Sequence, residues 1–275
     1  MRARKRFAQH FLETAWVNKL VTAVAATPDD SILEIGPGRG AITRPLAAQS
    51  GRLLAIEVDR DLAADLTSAA LPNTTVISSD VLAVDLLPIL TDWLGGAPGP
   101  ANPIRIVGNL PYNISSPILF MLLDLASKTG GIRDALLMLQ KEVADRLVAK
   151  VGTGEYGVLT ILTALNADVT RVLSLPPGAF RPQPRVHSAV VRLSFRPSKV
   201  AIDDHDLFVR MVRTMFTQRR KTVSNALKPF GMERAVEPVR ALALAGIDPM
   251  RRPETLQLVE MAALARAFAV GKARP

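Results

Sequence analysis

The 275-residue sequence contains no cysteine. That excludes a disulfide framework, a zinc finger, an iron–sulfur cluster and a thiolate nucleophile. Chemistry that attacks carbon through cysteine, or makes radicals at a cysteine-held cluster, goes with them. Histidine is nearly as scarce, and His10, His187 and His205 are far apart in sequence, so a histidine-based metal site is not expected. No run approaches the ~20 uninterrupted apolar residues of a membrane span. Behind the basic start Met1-Arg2-Ala3-Arg4-Lys5-Arg6, residues 7–20 are too polar for the core of a secretory leader. A transit peptide is harder to dismiss on composition, but a functional motif begins in this same segment. Cytoplasmic residence is therefore the expectation.

Acidic residues are missing locally rather than globally. Residues 1–150 hold 15 basic and 15 acidic side chains, whereas residues 151–275 hold 19 basic and 10 acidic, so the back half carries the whole net charge of +9. Six basic residues and no acid lie between Asp168 and Asp203, and again from Leu207 to Met232. Such asymmetry suits a back half that meets a polyanion, most simply nucleic acid. A solvated basic face without a partner remains the alternative on charge alone. A membrane surface fits less well, because no basic amphipathic helix with exposed aromatics accompanies the charge. Composition is otherwise that of a globular protein, 48% hydrophobic and 21% charged, and the length suits one large domain and one small one.

Short β-rich runs alternate with helical patterns through the front half, which predicts a parallel α/β sheet. The runs are Ser31–Ile35, Leu53–Val58, Thr75–Ser78, Ile104–Gly108 and Ala135–Leu139. They are nearly continuous in apolar residues, as strands buried on both faces are. Helical periodicity falls on Leu62–Ala70, Leu86–Leu94 and Pro117–Ala126. Two later β-rich runs, Val169–Leu175 and Ser188–Phe195, flank a proline-rich segment and suit an antiparallel hairpin at the sheet edge. Beyond Arg196-Pro197 only helices are predicted: Leu207–Thr217, Thr222–Leu227, Glu233–Ala245 and Pro253–Phe268. The expected domains are residues 1–198 and a small all-helical domain, residues 199–275.

The first strand runs into Glu34-Ile35-Gly36-Pro37-Gly38-Arg39-Gly40 and then a helix. Glycines there allow a sharp turn and close approach of a ligand to the helix N-terminus. The G-x-G-x-G spacing is one residue shorter than the dinucleotide fingerprint, and a ligand lacking phosphate, such as S-adenosylmethionine, fits it better. Gly36 and Gly38 are the candidate contacts. Glu57 follows Gly36 by 21 residues, near the spacing at which an acid meets a ribose diol. Asp80 ends the third strand, where a carboxylate can accept from an adenine amino group. Alone, the turn is a structural turn and each acid a helix cap; together they predict a cofactor cleft.

The fourth strand ends Gly108-Asn109-Leu110-Pro111-Tyr112-Asn113. An exocyclic adenine amine is a poor nucleophile because its lone pair is delocalised into the ring. The Asn109 side-chain oxygen and the Leu110 backbone carbonyl are placed to accept its two hydrogens, favouring a pyramidal nitrogen aimed at a sulfonium methyl. Pro111 stiffens the turn and brings no competing N–H. Tyr112 offers a face for a flipped base, a stack worth roughly 1–3 kcal/mol. No strong base is required, since the alkylated amine is more acidic and releases its proton to water; positioning and electrostatics carry the catalysis. The alternative is an ordinary proline-containing turn after a strand.

Taken in order, these segments resemble the small-subunit ribosomal RNA adenine N6,N6-dimethyltransferases, the dimethyladenosine transferases of ribosome assembly. The resemblance runs from Lys5 to about Leu256 and rests on Lys5–Leu12, Glu34–Gly40, Glu57–Asp59, Asn109–Asn113, Gln140–Ala144, Tyr156-Gly157, Phe180–Ser188 and Arg219–Leu227. It implies a Rossmann-like, seven-stranded class I methyltransferase sheet with a helical C-terminal domain. It also implies S-adenosylmethionine as methyl donor and two adjacent adenosines near the 3′ end of 16S rRNA, each dimethylated, within the small subunit or its precursor. By position, His10 and Leu12 would lie over the cofactor, Gly36 would contact it, Glu57 would hold the ribose and Asp80 the adenine. Asn109 would sit between cofactor and substrate, and Phe180 would stack on the target base opposite Tyr112. Arg185, Arg219, Arg220 and Lys221 are the expected RNA contacts; neither a metal nor a membrane is expected, and nothing demands more than a monomer. Ala8 stands where the family usually has glycine, and His10 where asparagine is common.

Two other readings remain. An erythromycin-resistance type enzyme modifies an adenosine of large-subunit 23S RNA on a similar scaffold, but Leu110, Asn113 and Arg219–Leu227 favour the small-subunit family. A DNA adenine methyltransferase would usually carry two prolines in the turn. The second reading, from another class, is an RNA-binding assembly factor whose catalysis is secondary or lost.

Overall fold

A computed structural model of the chain describes residues 10–270. Lys5–Gln9 of the N-terminal motif, Ala8 among them, lie outside the described residues. The strands are β1 (Phe11–Leu12), β2 (Ser31–Ile35), β3 (Arg52–Glu57), β4 (Thr74–Ser78), β5 (Ile104–Asn109), β6 (Ile132–Gln140), β7 (Ala167–Leu175), β8 (Phe180–Arg181) and β9 (Ser188–Phe195). The helices between the early strands are α1 (Thr14–Val24), α2 (Thr43–Ala47), α3 (Arg60–Ser68), α4 (Leu86–Leu94) and α5 (Ser115–Thr129). Later come α6 (Lys141–Leu147), α7 (Val158–Asn166), α8 (His205–Thr217), α9 (Val223–Ala226), α10 (Lys228–Arg234), α11 (Pro238–Leu244) and α12 (Leu258–Val270).

Seven strands form one sheet in the order β4-β3-β2-β5-β6-β9-β7. The first five are parallel, while β9 pairs antiparallel with both β6 and β7. The hairpin expected from Val169–Leu175 and Ser188–Phe195 is therefore present, and it enters the sheet with β9 inside and β7 at the edge. From β2 the chain winds outward to β3 and β4, then returns to β5 on the other side of β2. This reversal between β2 and β5 is the topological switch point at which open α/β sheets bind ligands, beyond the carboxyl ends of the strands.

Local chemistry sets the boundaries. Asp59 Oδ1 accepts from Asp61 N at 3.1 Å, so this cap starts α3 two residues before the apolar periodicity begins. Asp85 Oδ1 accepts from Leu87 N at 3.1 Å to start α4, and Gly95 closes that helix in the left-handed region. The single helix expected over Glu233–Ala245 is instead two. Ala235 turns left-handed at φ 54° and Pro238 opens α11; proline lacks the N–H for a helical bond and pushes Glu237 to extended backbone.

The chain divides into two compact units. One holds the residues up to Ala144 together with Ala167–Pro197; the other holds Asp145–Asn166 and the residues from Ser198 onward. Helix α7 joins the C-terminal helices because it packs on α8 and α12. The Tyr156 hydroxyl just before it donates to Leu256 O at 3.1 Å, and its ring meets Phe216 edge-on at 6.3 Å. In the sheet unit, the core beneath β2, β3 and β5 gathers Leu20, Ile32, Leu46, Leu53, Val107 and Met138.

Candidate active site

A cavity of about 440 Å³ opens at the carboxyl ends of β2, β3, β4 and β5. Its lining includes His10, Leu12, Gly36, Gly38, Glu57, Asp80, Asn109, Leu110, Pro111 and Tyr112. Phe180, Arg185, Arg219, Arg220 and Lys221 do not line it.

The glycine turn is built as its sequence requires. Gly36 has φ +71° and Gly38 φ +58°, a region that side chains with a Cβ rarely adopt. A Cβ on Gly38 would also lie 3.4 Å from the Phe11 ring. Glu57, 4% exposed, braces this turn: Oε2 accepts from Gly38 N and Oε1 from Asp59 N, each at 2.9 Å. Burial pushes the Glu57 carboxyl up, against the opposing pull of those backbone donors. Each carboxylate oxygen has a second lone-pair direction for an external hydroxyl. Asp80 is exposed at the next strand end; its Oδ1 accepts from Leu82 N at 2.9 Å, which fixes the rotamer and leaves Oδ2 to an outside donor. Ile35, Ile56, Val58 and Val81 supply apolar walls. The cavity thus joins a glycine turn, the Glu57 and Asp80 carboxylates and apolar walls, with Arg39 as the cation in its lining.

Across the switch point, Ile35 lies in register with Gly108, which brings the glycine turn beside Asn109. A Cβ at Gly36 would lie 3.8 Å from the Asn109 backbone oxygen. Leu110 N donates to Met138 O at 3.2 Å and Ser115 Oγ to Tyr112 O at 3.1 Å, fastening the turn at both ends. Half-buried Tyr112 shares a 2.6 Å hydrogen bond with Ser188 Oγ, and burial holds its phenol above the ordinary range despite that bond. The ring therefore stays neutral at physiological pH. Ser188 at the start of β9 is a site residue that residue-level reading missed; within Phe180–Ser188 its only signal was membership of the motif.

Phe180 requires correction. It is 0% exposed and belongs to the core with Val17, Leu20, Leu136 and Leu175. The antiparallel pairing of β1 and β8 sets Leu12 opposite Phe180 and Phe11 opposite Arg181, and strand alternation then turns Phe180 inward. A ring without exposed surface has no face for a base, so the expected stack opposite Tyr112 is not available here. Of the expected RNA contacts, Arg185, Arg220 and Lys221 are exposed. Arg219 is half-buried and donates to Gly154 O at 2.7 Å.

One acid near the site is buried and poorly partnered. Glu34, 1% exposed, has no hydrogen-bond partner for Oε2 among the described residues. Its carboxyl is pushed up to about 7, mainly by burial; the Thr43 hydroxyl opposes this and the Glu57 charge adds to it. The folded protein thus keeps a proton that the unfolded chain releases near 4.5. Stability from this group is full below pH 4.5 and falls as pH rises towards 7, by roughly 3 kcal/mol in total. Urea unfolding at steps between pH 4.5 and 8 should show Glu34→Gln with a flatter profile than the parent. Identical slopes would contradict this assignment.

No helix among the described residues is long and apolar enough to cross a membrane. Nor do the described residues bring three His, Asp or Glu side chains together as a metal site.

The likenesses to known proteins are extensive. A sequence profile described as ribosomal RNA adenine dimethylase matches residues 1–264. The chain is 45% identical over 267 residues to the ribosomal RNA small subunit methyltransferase A of Xanthomonas campestris pv. campestris, covering 96% of this chain and 95% of that protein. Identity is 43% over 275 residues to the protein of the same name from Geobacter metallireducens, covering 98% and 96%. Among solved structures, a dimethyladenosine transferase from Plasmodium falciparum shares the fold, with a TM-score of 0.75 at 23% identity over 95% of this chain and 98% of that one. The 23S rRNA methyltransferase ErmE gives a TM-score of 0.64 at 25% identity, covering 94% and 99%.

Proposed function

The chain belongs to the ribosomal RNA adenine dimethylase family, and from that premise we propose that it dimethylates N6 of two adjacent adenosines near the 3′ end of 16S rRNA, in the small subunit or its precursor. The observation that carries the reading is the Asn109–Tyr112 turn. It lies at the switch point, beside a glycine turn and two carboxylates suited to an adenosyl group. S-adenosylmethionine, the methyl donor, supplies an electrophilic methyl group on a positively charged sulfur.

In this reading Gly36 and Gly38 let the backbone approach the donor, Glu57 accepts from its ribose hydroxyls and Asp80 from its adenine amine. Leu12 and His10 cover it from the N-terminal side. Asn109 Oδ1 and the Leu110 carbonyl accept the two hydrogens of the target amine, which pulls the nitrogen lone pair out of conjugation and towards the methyl group. Tyr112 stacks on the flipped base, with its hydroxyl held by Ser188. The proton leaves to water after transfer. The working unit in this reading is a monomer, and cytoplasmic residence follows from the substrate.

We assign RNA binding to the helical unit, chiefly through Arg220 and Lys221, with Arg185 as a further contact from the sheet unit. Arg219, tied to Gly154 O, has the smaller share. Arg220→Glu with Lys221→Glu should weaken small-subunit binding, and reduce the salt dependence of log K by about one per lost phosphate contact. Cofactor affinity should not change. Parallel loss of both affinities would refute this division.

The decisive assay combines the protein, S-adenosylmethionine and small subunits that lack adenosine dimethylation, with nucleoside mass spectrometry and large-subunit RNA in parallel. Dimethyladenosine at two neighbouring small-subunit positions is the expected product. Methylation of large-subunit RNA alone would make this a resistance-type enzyme. Tight particle binding without methylation would leave an assembly factor.

A further inference from the structure

His10 lines the cavity assigned to the cofactor, and it also contacts Asn109 and Tyr112 on the side assigned to the substrate. The Asn109 side-chain amide donates from Nδ2 to the His10 backbone oxygen at 3.1 Å. A carbonyl only accepts, so this contact fixes which end of the amide is which: nitrogen towards His10, oxygen available elsewhere. The orientation matters because an amine that must give up two hydrogens needs an acceptor. Rotated by half a turn, the same amide would present N–H groups to N–H groups.

The His10 carbonyl is held in place from two directions. Its ring Nδ1 lies 2.8 Å from Pro182 O, which makes Nδ1 the protonated nitrogen, since Pro182 O can only accept. The ring lies over Tyr112, centroids 5.7 Å apart and planes 22° from parallel. Immediately after it, β1 pairs with β8 at Phe11 and Leu12, locking the backbone register. One residue thus contacts the two side chains to which the mechanism gives the amine and the base.

We propose that His10 is a positioning residue for the target adenine, its backbone oxygen orienting the Asn109 amide and its ring setting the plane of Tyr112. The proposal rests on the methyltransferase reading of this site and adds a residue on its substrate side. An asparagine placed here would have a side-chain N–H for Pro182 O, the acceptor that His10 Nδ1 meets, but no ring to lay on Tyr112. The orientation of Asn109 would then survive the exchange, and the setting of Tyr112 would be relaxed.

The test uses the full chain with undermethylated small subunits. His10→Ala should lower kcat by roughly 10–100-fold, the scale of misplacing reacting groups by an ångström or less. Because alanine keeps the His10 backbone, affinity for S-adenosylmethionine should fall by much less than kcat, and the thermal midpoint should stay near that of the parent. His10→Asn should recover most of the rate, and His10→Phe, with a ring but no donor, should recover less. An unchanged kcat in His10→Ala, or a loss confined to cofactor affinity, would overturn the proposal. The Asn109 side-chain amide resonance reads the same geometry without turnover. It should shift and exchange faster in His10→Ala, and an unchanged resonance would also overturn the proposal. Should the parent itself transfer no methyl group, the functional reading fails, and this resonance still decides whether His10 orients Asn109.

Discussion

Asn109→Ala is expected to reduce methyl transfer to small-subunit RNA by roughly 10²–10³-fold, the usual consequence of deleting one polar group aimed at a reacting centre. The effect should fall on kcat. Asn109 ends β5, and its truncation leaves the Glu57 and Asp80 end of the cavity intact, so affinity for S-adenosylmethionine should move by no more than a few-fold. Binding to small-subunit particles should persist, because the basic residues assigned to RNA lie elsewhere. Asn109→Asp sharpens the test: it keeps an acceptor but turns a carboxylate oxygen towards the His10 carbonyl, where the amide now donates. It should therefore be slower than the parent despite its isosteric shape. Quench-flow rates with labelled cofactor, alongside equilibrium binding of cofactor and particle, separate these terms. A rate within threefold of the parent in Asn109→Ala, or loss of particle binding, would defeat the mechanism as assigned.

Arg105→Leu should be the most damaging substitution for the sheet itself. Arg105 sits in the apolar run of β5, 5% exposed, and its guanidinium makes five hydrogen bonds. Nε and Nη2 reach the two Asp134 oxygens at 2.8 and 2.9 Å, and Nη1 reaches Asp30 Oδ2 at 3.0 Å. The Val24 and Ala25 carbonyls, at the end of α1, accept at 2.7 and 3.3 Å. Burial alone would disfavour the charge, but the two carboxylates more than reverse this and raise the arginine pKa. Asp30 is held below its ordinary value: burial opposes ionisation, and Thr27 N, Arg105 and Arg133 overcome it. Leucine removes the cation and leaves two buried carboxylates with Arg133 and Arg192 as their remaining cations among the described residues, at a cost of about 3–5 kcal/mol. Lysine should rescue poorly, since an ammonium cannot reproduce the bidentate fork. Because the folded Asp30 pKa is lowered, its stabilisation is present above pH 3.8 and lost as pH falls through the folded value. That part of the acid slope should shrink in Arg105→Leu. Denaturant melts from pH 2.5 to 7 check both points, and a loss below about 1 kcal/mol would show the cluster to be dispensable.

The gathering of Gly36, Glu57, Asp80 and Asn109 at one sheet edge was readable in the sequence. Its groups lie at consecutive strand ends, Gly36 after β2, Glu57 closing β3, Asp80 after β4 and Asn109 closing β5. Once the apolar runs are recognised as buried parallel strands, their carboxyl ends must share one edge. The shortest elements were not readable. Strands β1 and β8 have two residues each, too few for any periodic pattern, and the partnership between them is what buried Phe180 and brought His10 to Asn109. Helix α7 lies outside the segments that the sequence predicts as helical, and its packing on α8 and α12 goes with Asp145–Asn166 in the helical unit.

By itself, then, the sequence determined the sheet, the glycine turn, the three strand-end carboxyl and amide groups and the concentration of positive charge in the back half. Each depends on neighbours within a few residues, where periodicity, backbone freedom and capping act. Tertiary structure decided the burial of Phe180, the clamp of His10 on Asn109 and Tyr112, and the five-bond setting of Arg105. These join residues 29 to 172 positions apart, and at such separations the partner is chosen by which surfaces pack together, a choice that no local pattern encodes.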